Sequence, residues 1–259
     1  MSDKYNTLFV FEGVKTEDNI VAKMEKYFTG MLLAVKCVFG SEIYQLYKRL
    51  KEEDFSVDIV SLLKERSEKN RKELDGYDND SFSYIYFFFD YDAHATKADD
   101  NKIAELIDFF DNETENGKIF ISYPMVEAIK HYKDKQTFKD LIVKCKGQNC
   151  PSIDSCEKKE QCLREPHYKT TIPTYSLGKY QNLNSSDVWK ELIDANICKS
   201  NYIVNDNYTR PTDIISQKDI FEKQQAKHIS QDCPLVSVLS AFPLFLQDFY
   251  GVETLNSKL

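Results

Sequence analysis

Glycine and proline are scarce, eight and seven residues in a chain of 259, which excludes collagen-like and low-complexity classes. Long apolar runs are missing too. The longest, residues 84–89 and 235–246, are too short or too interrupted to span a bilayer, and the mean hydropathy is −0.51. No charged-then-apolar leader precedes the first strand-like run, so no signal peptide is expected. There is no Gly-x4-Gly-Lys-Ser/Thr phosphate loop, hence no P-loop motor within the chain, and no local Ser-His or Cys-His nucleophile signature. Seven cysteines without a secretory leader point to a reducing compartment, not to a disulfide framework. The expectation is a soluble, cytoplasmic protein with no membrane contact. Positive charge is also short: 34 Lys and Arg against 42 Asp and Glu leave a net charge of −8, which argues against a protein that simply coats nucleic acid.

What is present is a large core. Apolar residues make up 42% and aromatics 13% of the chain, enough for one large domain or a main domain with an insert. Charge is uneven. Residues 128–180 carry eleven Lys and Arg against six Asp and Glu, a basic stretch in an acidic body that suits phosphates beside cation-holding carboxylates. It equally suits an ordinary uneven surface.

Strand-like and helix-like patterns alternate through the first half. Residues 5–11, 31–39, 83–89 and 118–122 read as strands. Helices are expected over 16–28 with Thr16 as N-cap, 41–53, 58–73 as a charged helix leaving the body, 99–110, and 124–132 with Pro124 at the first position. This alternation predicts an α/β fold with a mostly parallel, Rossmann-like sheet flanked by helices. Residues 145–171 form a polar, cysteine-rich insert. Helices follow over 186–200, 216–228 and 236–250, the last kinked at Pro243. The expected division is a core over 1–140, an insert over 141–172 and a helical C-terminal part over 173–259.

Acidic residues fall where the expected strands end. Glu12-Gly13-Val14-Lys15-Thr16-Glu17, Asp90-Tyr91-Asp92 and Ser122-Tyr123-Pro124-Met125-Val126-Glu127 each close a strand or open the next helix. The carboxyl ends of parallel strands open on one edge of a sheet, where ligands bind. Glu12, Glu17, Asp90, Asp92 and Glu127 gathered there would repel one another without a cation, and Mg²⁺ takes such oxygen ligands together with substrate phosphates. Taken singly, each motif also reads as a turn, a solvated loop or a first-turn acid.

Residues 8–17 (LFVFEGVKTE) resemble the first strand and acidic turn of TOPRIM domains, in the Glu-Gly-x-x-Thr-Glu form of RloB-like and OLD-type (overcoming lysogenization defect) nucleases. FFFDYD at 87–92 resembles that family's Asp-x-Asp, and ISYPMVE at 121–127 its Ser-x-Pro-x-x-Glu segment. YSLGKY at 175–180 and ELIDA at 191–195 resemble a stretch in which a lysine precedes a helix. The resemblance implies a TOPRIM sheet and an Mg²⁺- or Mn²⁺-dependent endonuclease with one or two ions. Glu12 would serve as general acid/base or metal ligand, Asp90 and Asp92 would hold the essential ion, and Glu17 and Glu127 a second. Lys179 would stabilise charge on the phosphate. The resemblance further implies an effector of bacterial anti-phage defence acting on DNA or RNA, including tRNA, beside a separate ATPase.

Cys145-x4-Cys150-x5-Cys156-x5-Cys162, with His167 five residues on, suggests a structural Zn²⁺. A [4Fe–4S] cluster and four uncommitted thiols are the alternatives. Lys144, Lys146, Lys158, Lys159 and Arg164 interleave with the thiols and could grip a phosphate backbone or merely solvate the loop. Cys37, Cys198 and Cys233 read as core or surface residues, Trp189 as packing, His131 and His228 as solvated, and His94 as a polar-loop residue that either orients a phosphate or water or has no role. Two other functions compete. One is a non-enzymatic regulatory or scaffold module that binds a cation and a protein partner. The other is a TOPRIM phosphotransferase acting on small phosphate compounds.

Overall fold

The computed structural model describes residues 7–28, 34–164, 168–172 and 182–259. The chain divides into two compact units, one of residues up to 89 with 101–120, the other of 90–100 with everything from 121 onward. This partition differs from the segments expected at 140 and 172, because residues 90–100 and 121–140 belong with the C-terminal part.

The first unit is built on β1 (Thr7–Phe11), α1 (Thr16–Tyr27), β2 (Ala34–Val38), α2 (Ile43–Glu52), α3 (Ile59–Arg66), α4 (Glu68–Glu73), β3 (Tyr84–Asp90), α5 (Asp100–Phe109), β4 (Asp111–Asn112) and β5 (Gly117–Ser122). The final residues of β3 and β5 and the first of α5 count with the second unit. The strands form one sheet in the order β2-β1-β3-β5-β4. β1 runs parallel to both β2 and β3, and the short β4 is antiparallel to β5. The fold is therefore the expected mixed α/β architecture with a mostly parallel central sheet.

Central strands covered on both faces need apolar residues throughout, not alternation. Every residue of β1 is buried, and so is every residue of β3 from Ile85 onward. The register sets Phe9 opposite Tyr86 and Phe11 opposite Phe88. The Phe9 ring stands edge-on to Phe88 at 5.7 Å and Phe11 lies 5.4 Å from the same ring. Such aromatic pairs contribute about 0.5–1.5 kcal/mol each beyond their burial. Gly117 opens β5 with φ +106°, and a Cβ there would stand 2.5 Å from Phe87 Cε2, so the strand can enter only as glycine.

The segment expected as one helix leaving the body is two helices packed onto the unit. Ser67 breaks them with φ −160° and ψ 154°, and its hydroxyl caps α4 by accepting from Asn70 N. Asp58 caps α3 through Ser61 N. Asn70 then turns inward. Its Oδ1 accepts from Val38 N at 3.1 Å, and its Nδ2 donates to Val38 O at 2.7 Å and Leu63 O at 3.0 Å. Val38 ends the edge strand β2. A buried amide thus satisfies backbone groups that a further strand would otherwise pair. At α1, Thr16 is the first helical residue and not the N-cap, which is Lys15 with no side-chain cap bond.

The second unit contains a 3₁₀ turn (Val126–Lys130), α6 (Lys135–Lys139), β6 (Ile142–Lys144), α7 (Lys159–Arg164), α8 (Tyr168–Thr171), α9 (Ser186–Asn205), α10 (Gln217–Gln224), β7 (Leu235–Ser237), α11 (Ala241–Tyr250) and α12 (Val252–Lys258). This part is helical, with α6, α10 and α11 packed on α9. Trp189 is wholly buried on α9 and donates Nε1–H to Leu183 O at 2.9 Å. Lys199 is buried on the same helix. Its ammonium donates to Phe138 O at 2.7 Å and Leu141 O at 2.8 Å, satisfying carbonyls where α6 ends.

Two expected helices are corrected here. Pro124 does not open a helix: it follows a cis peptide bond from Tyr123, and the 3₁₀ turn starts at Val126. Residues 236–250 are not one kinked helix. Leu235–Ser237 pair antiparallel with Ile142–Lys144, and the helix begins at Ala241, so Pro243 sits in its first turn where no N–H is needed. Among the described residues, no helix is long and apolar enough to cross a membrane.

Replacing Asn70 by alanine should lower stability by about 3 kcal/mol, because three buried backbone groups lose their partner at once. Urea unfolding followed by circular dichroism would show a lower midpoint; an unchanged midpoint would remove Asn70 from its edge-sealing role.

Candidate functional site

In the first unit, Glu12 follows the last residue of β1. Its N–H donates to Phe88 O at 3.1 Å and its carbonyl accepts from Gly40 N at 3.0 Å. Glu17, in the first turn of α1, is 5% exposed. Its Oε1 accepts from Gly13 N at 3.0 Å. A Cβ on residue 13 would lie 3.1 Å from that oxygen and 3.2 Å from Oε2, so the glycine gives the carboxylate room to fold back over the turn.

In the second unit, Asp90 and Asp92 flank Tyr91, and all three are buried. The chain here runs beside residues 122–124: Tyr91 N donates to Ser122 O at 3.0 Å and Asp92 N to Pro124 O at 3.2 Å. Residues 121–123 are anchored in turn. Ile121 N donates to Gln217 Oε1 at 3.1 Å, and Tyr123 exchanges two backbone bonds with Leu239. Asp92 is thereby set beside Pro124, three residues before Glu127 on the 3₁₀ turn.

Two oxygens in this part lack what buried carboxylates normally have. Asp92 Oδ1 and Glu127 Oε2 are buried and accept no hydrogen bond, although Asp92 and Glu127 are each only 8% exposed. His94 Nδ1 stands 3.0 Å from Asp92 Oδ1, an ion-pair approach without hydrogen-bond direction. A buried charge without donors is costly. Asp92 also holds a left-handed backbone, φ 42°, a conformation that costs a non-glycine residue about 1 kcal/mol or more.

The residues after Asp92 are held by the cysteine-rich segment. Asn149 Nδ2 donates to Ala93 O at 3.0 Å and Ala95 O at 2.8 Å. Lys146 Nζ donates to Asp100 Oδ2 at 2.7 Å, and Tyr91 Oη donates to Asp100 Oδ1 at 2.6 Å. Lys146 is therefore engaged internally and is not a surface lysine waiting for a phosphate backbone. Asn149 and Asp100 carry no sequence signal of this role, since their partners lie far away in the chain.

All seven cysteines are free thiols. Cys145 and Cys162 are buried, Cys150 and Cys156 half-buried. Burial pushes the Cys145 thiol up to about 12, with Asp100 and the thiols of Cys150 and Cys233 adding to that rise and Lys146 opposing it. Cys233 thus acts electrostatically on Cys145, just past the end of the ladder that pairs Lys144 with Leu235. Among the described residues, no three His, Cys, Asp or Glu side chains stand together as a metal cage. A zinc ion on Cys145, Cys150, Cys156 and Cys162 would require rearrangement of the segment, and no step below uses one. Lys179 and His167 lie outside the described residues.

For a hard divalent cation the described residues likewise offer no group of three ligands. Mg²⁺ is commonly held by only one or two carboxylates, with water and substrate phosphate completing the shell. Buried carboxylate oxygens without donors, as at Asp92 and Glu127, fit that role. Comparison with protein-family models, with curated proteins and with solved structures yields no match to this chain.

His131, expected in solvent, is buried at 9% exposure, and its Nδ1 lies 2.9 Å from Tyr168 Oη. Burial, and secondarily the charge of Lys199, pull its pKa from 6.5 down to about 4. The folded state therefore keeps His131 neutral, while the unfolded chain takes up the proton first as pH falls. This contribution is whole above about 6.5 and lost progressively toward about 4; it amounts to roughly 3 kcal/mol. Urea unfolding across that window should show falling stability in the wild type and a flatter profile in His131→Gln; identical profiles would refute the assignment.

Proposed function

We propose that the chain is a divalent-metal-dependent nuclease that hydrolyses phosphodiester bonds. The observation that carries this reading is the pair of buried carboxylate oxygens, on Asp92 and Glu127, that no hydrogen-bond donor satisfies. Among the buried polar atoms without a partner these two are the carboxylate oxygens, the costliest to leave without a donor, and both belong to segments that resemble the TOPRIM acidic motifs.

Bound Mg²⁺ or Mn²⁺ would supply Lewis-acid polarisation of the phosphate and a water made nucleophilic at neutral pH. Asp92 and Glu127 are the residues that would hold the cation in the second unit, with Asp90 as the further ligand that the resemblance implies. Their burial keeps bulk water from competing for the carboxylates and raises the strength of each electrostatic contact. His94, beside Asp92, can hold that carboxylate's orientation. For Glu12 and Glu17, in the first unit, the resemblance implies acid/base or metal-ligand roles, and for Lys179 a charge-stabilising one. A defence role, a partner ATPase and a DNA, RNA or tRNA substrate belong to the same proposal and rest on the resemblance alone.

The test is direct. Purified chain is incubated with labelled single- and double-stranded DNA, RNA and total tRNA, with Mg²⁺ or Mn²⁺, beside Asp92→Asn and Glu127→Gln. Metal-dependent cleavage that falls by at least ~100-fold in both variants, with unchanged circular dichroism, is the expected result and names the substrate class. Full cleavage in either variant would remove that residue from the site. If the wild type binds Mn²⁺ but cuts nothing, a cation-binding module or a chain that requires its ATPase partner is the better description, and pull-down of such a partner separates the two.

A further inference from the structure

Residues 146–149, between Cys145 and Cys150, touch the acidic segment after Asp92 directly and reach Tyr91, before it, through Asp100. On the near side, both oxygens of Asp100 are engaged, one by Lys146 and one by the Tyr91 hydroxyl. Tyr91 immediately precedes Asp92 and is wholly buried, so this chain of two charge-assisted bonds fixes the residue from which Asp92 departs. On the far side, a single amide nitrogen, Asn149 Nδ2, uses its two hydrogens on Ala93 O and Ala95 O. Ala93 and Ala95 are 1% and 6% exposed, so these carbonyls have little access to water as a substitute partner. The turn they belong to is closed on Asp92 itself, because Ala95 N donates to Asp92 O at 2.9 Å. His94, whose ring approaches the Asp92 carboxylate, lies between the two clamped residues.

We infer that the 146–149 segment is a brace that positions Asp92 for its cation, with Asn149 as the positioning residue. This rests on the reading of Asp92 as a cation ligand given above. A left-handed aspartate with a buried, undonated oxygen persists only where its surroundings over-determine it, and the brace provides that constraint from 46 to 56 residues away in the chain. Asn149 itself is set by a tight turn, its N–H donating to Lys146 O at 2.8 Å, so the two ends of the brace move together. Groups that orient a ligand in this way commonly govern metal affinity by about 10–100-fold without touching the ion.

The experiment is a calorimetric Mn²⁺ titration of the full chain, comparing wild type with Asn149→Ala, Asn149→Gln and Lys146→Met. Asn201→Ala, which removes an amide bond to Thr209 O in the same unit, controls for general destabilisation. Affinity should fall at least ~10-fold in Asn149→Ala and in Lys146→Met, recover partly in Asn149→Gln, and stay at the wild-type value in Asn201→Ala. Hydrogen exchange of the Ala95 amide in metal-free protein should quicken in Asn149→Ala. Wild-type affinity in both Asn149→Ala and Lys146→Met would overturn the brace and leave the cation site standing. A wild-type chain that binds no Mn²⁺ would instead overturn the cation reading, and the brace's role in it. Should Asn149→Ala fail to fold, Lys146→Met decides alone, because Asp100 keeps its bond from Tyr91 in that variant.

Discussion

Parallel pairing of β1 with β3 through their phenylalanine rings is the constraint on which the first unit depends. Phe9 and Phe11 meet Phe88 across that pair, and rings of this size fill the space between strand and helix layers only in one register. The register fixes more than packing. It makes Phe88 O the acceptor for Glu12 N, so the acidic turn after β1 begins at a defined height. Edge protection follows from the same layout, since β2 must lie on the outside and needs Asn70 to occupy the backbone groups of Val38.

The second unit is organised around a different problem, the cost of buried charge. Lys199 meets it by donating to two carbonyls and lying 4.3 Å from the Phe138 ring centroid, and burial drives its pKa well below the usual lysine range. His131 meets it by staying neutral against Tyr168. Asp92 and Glu127 meet it incompletely, with oxygens that accept nothing. The hydroxyls of Tyr123 and Ser240 are likewise buried without a hydrogen-bond partner, but a carboxylate oxygen is the costlier group to leave without a donor.

The cysteine-rich segment takes on a meaning its composition does not suggest. Thiol spacing directs attention to metal ligation, yet the contacts that reach the acidic residues come from Lys146 and Asn149 between the thiols. Of the two thiols that flank this brace, Cys145 is buried, and burial pushes its pKa up to about 12. Cys233, read from the sequence as a core or surface residue, acts electrostatically on it.

Much of this was legible in the order of residues. Uninterrupted apolar runs at 7–11 and 84–89 identify strands covered on both faces, because period and composition are local properties. The acids at 12, 17, 90, 92 and 127 announce themselves by falling where those runs stop. Helix boundaries were less legible. Ser67 splits one charged stretch into two capped helices, and residues 235–237 leave an apolar helix-like pattern to pair as a strand, since tertiary partners override weak propensity. The sequence by itself determined the α/β class, the parallel sheet and the acidic residues as candidates. Only the tertiary structure decided which carboxylate oxygens lack donors, that Asn70 closes a sheet edge, and that Asn149 grips the turn after Asp92. Each of those depends on hydrogen bonds between groups far apart in the chain, and direction at such range is set by packing and leaves no periodicity to read.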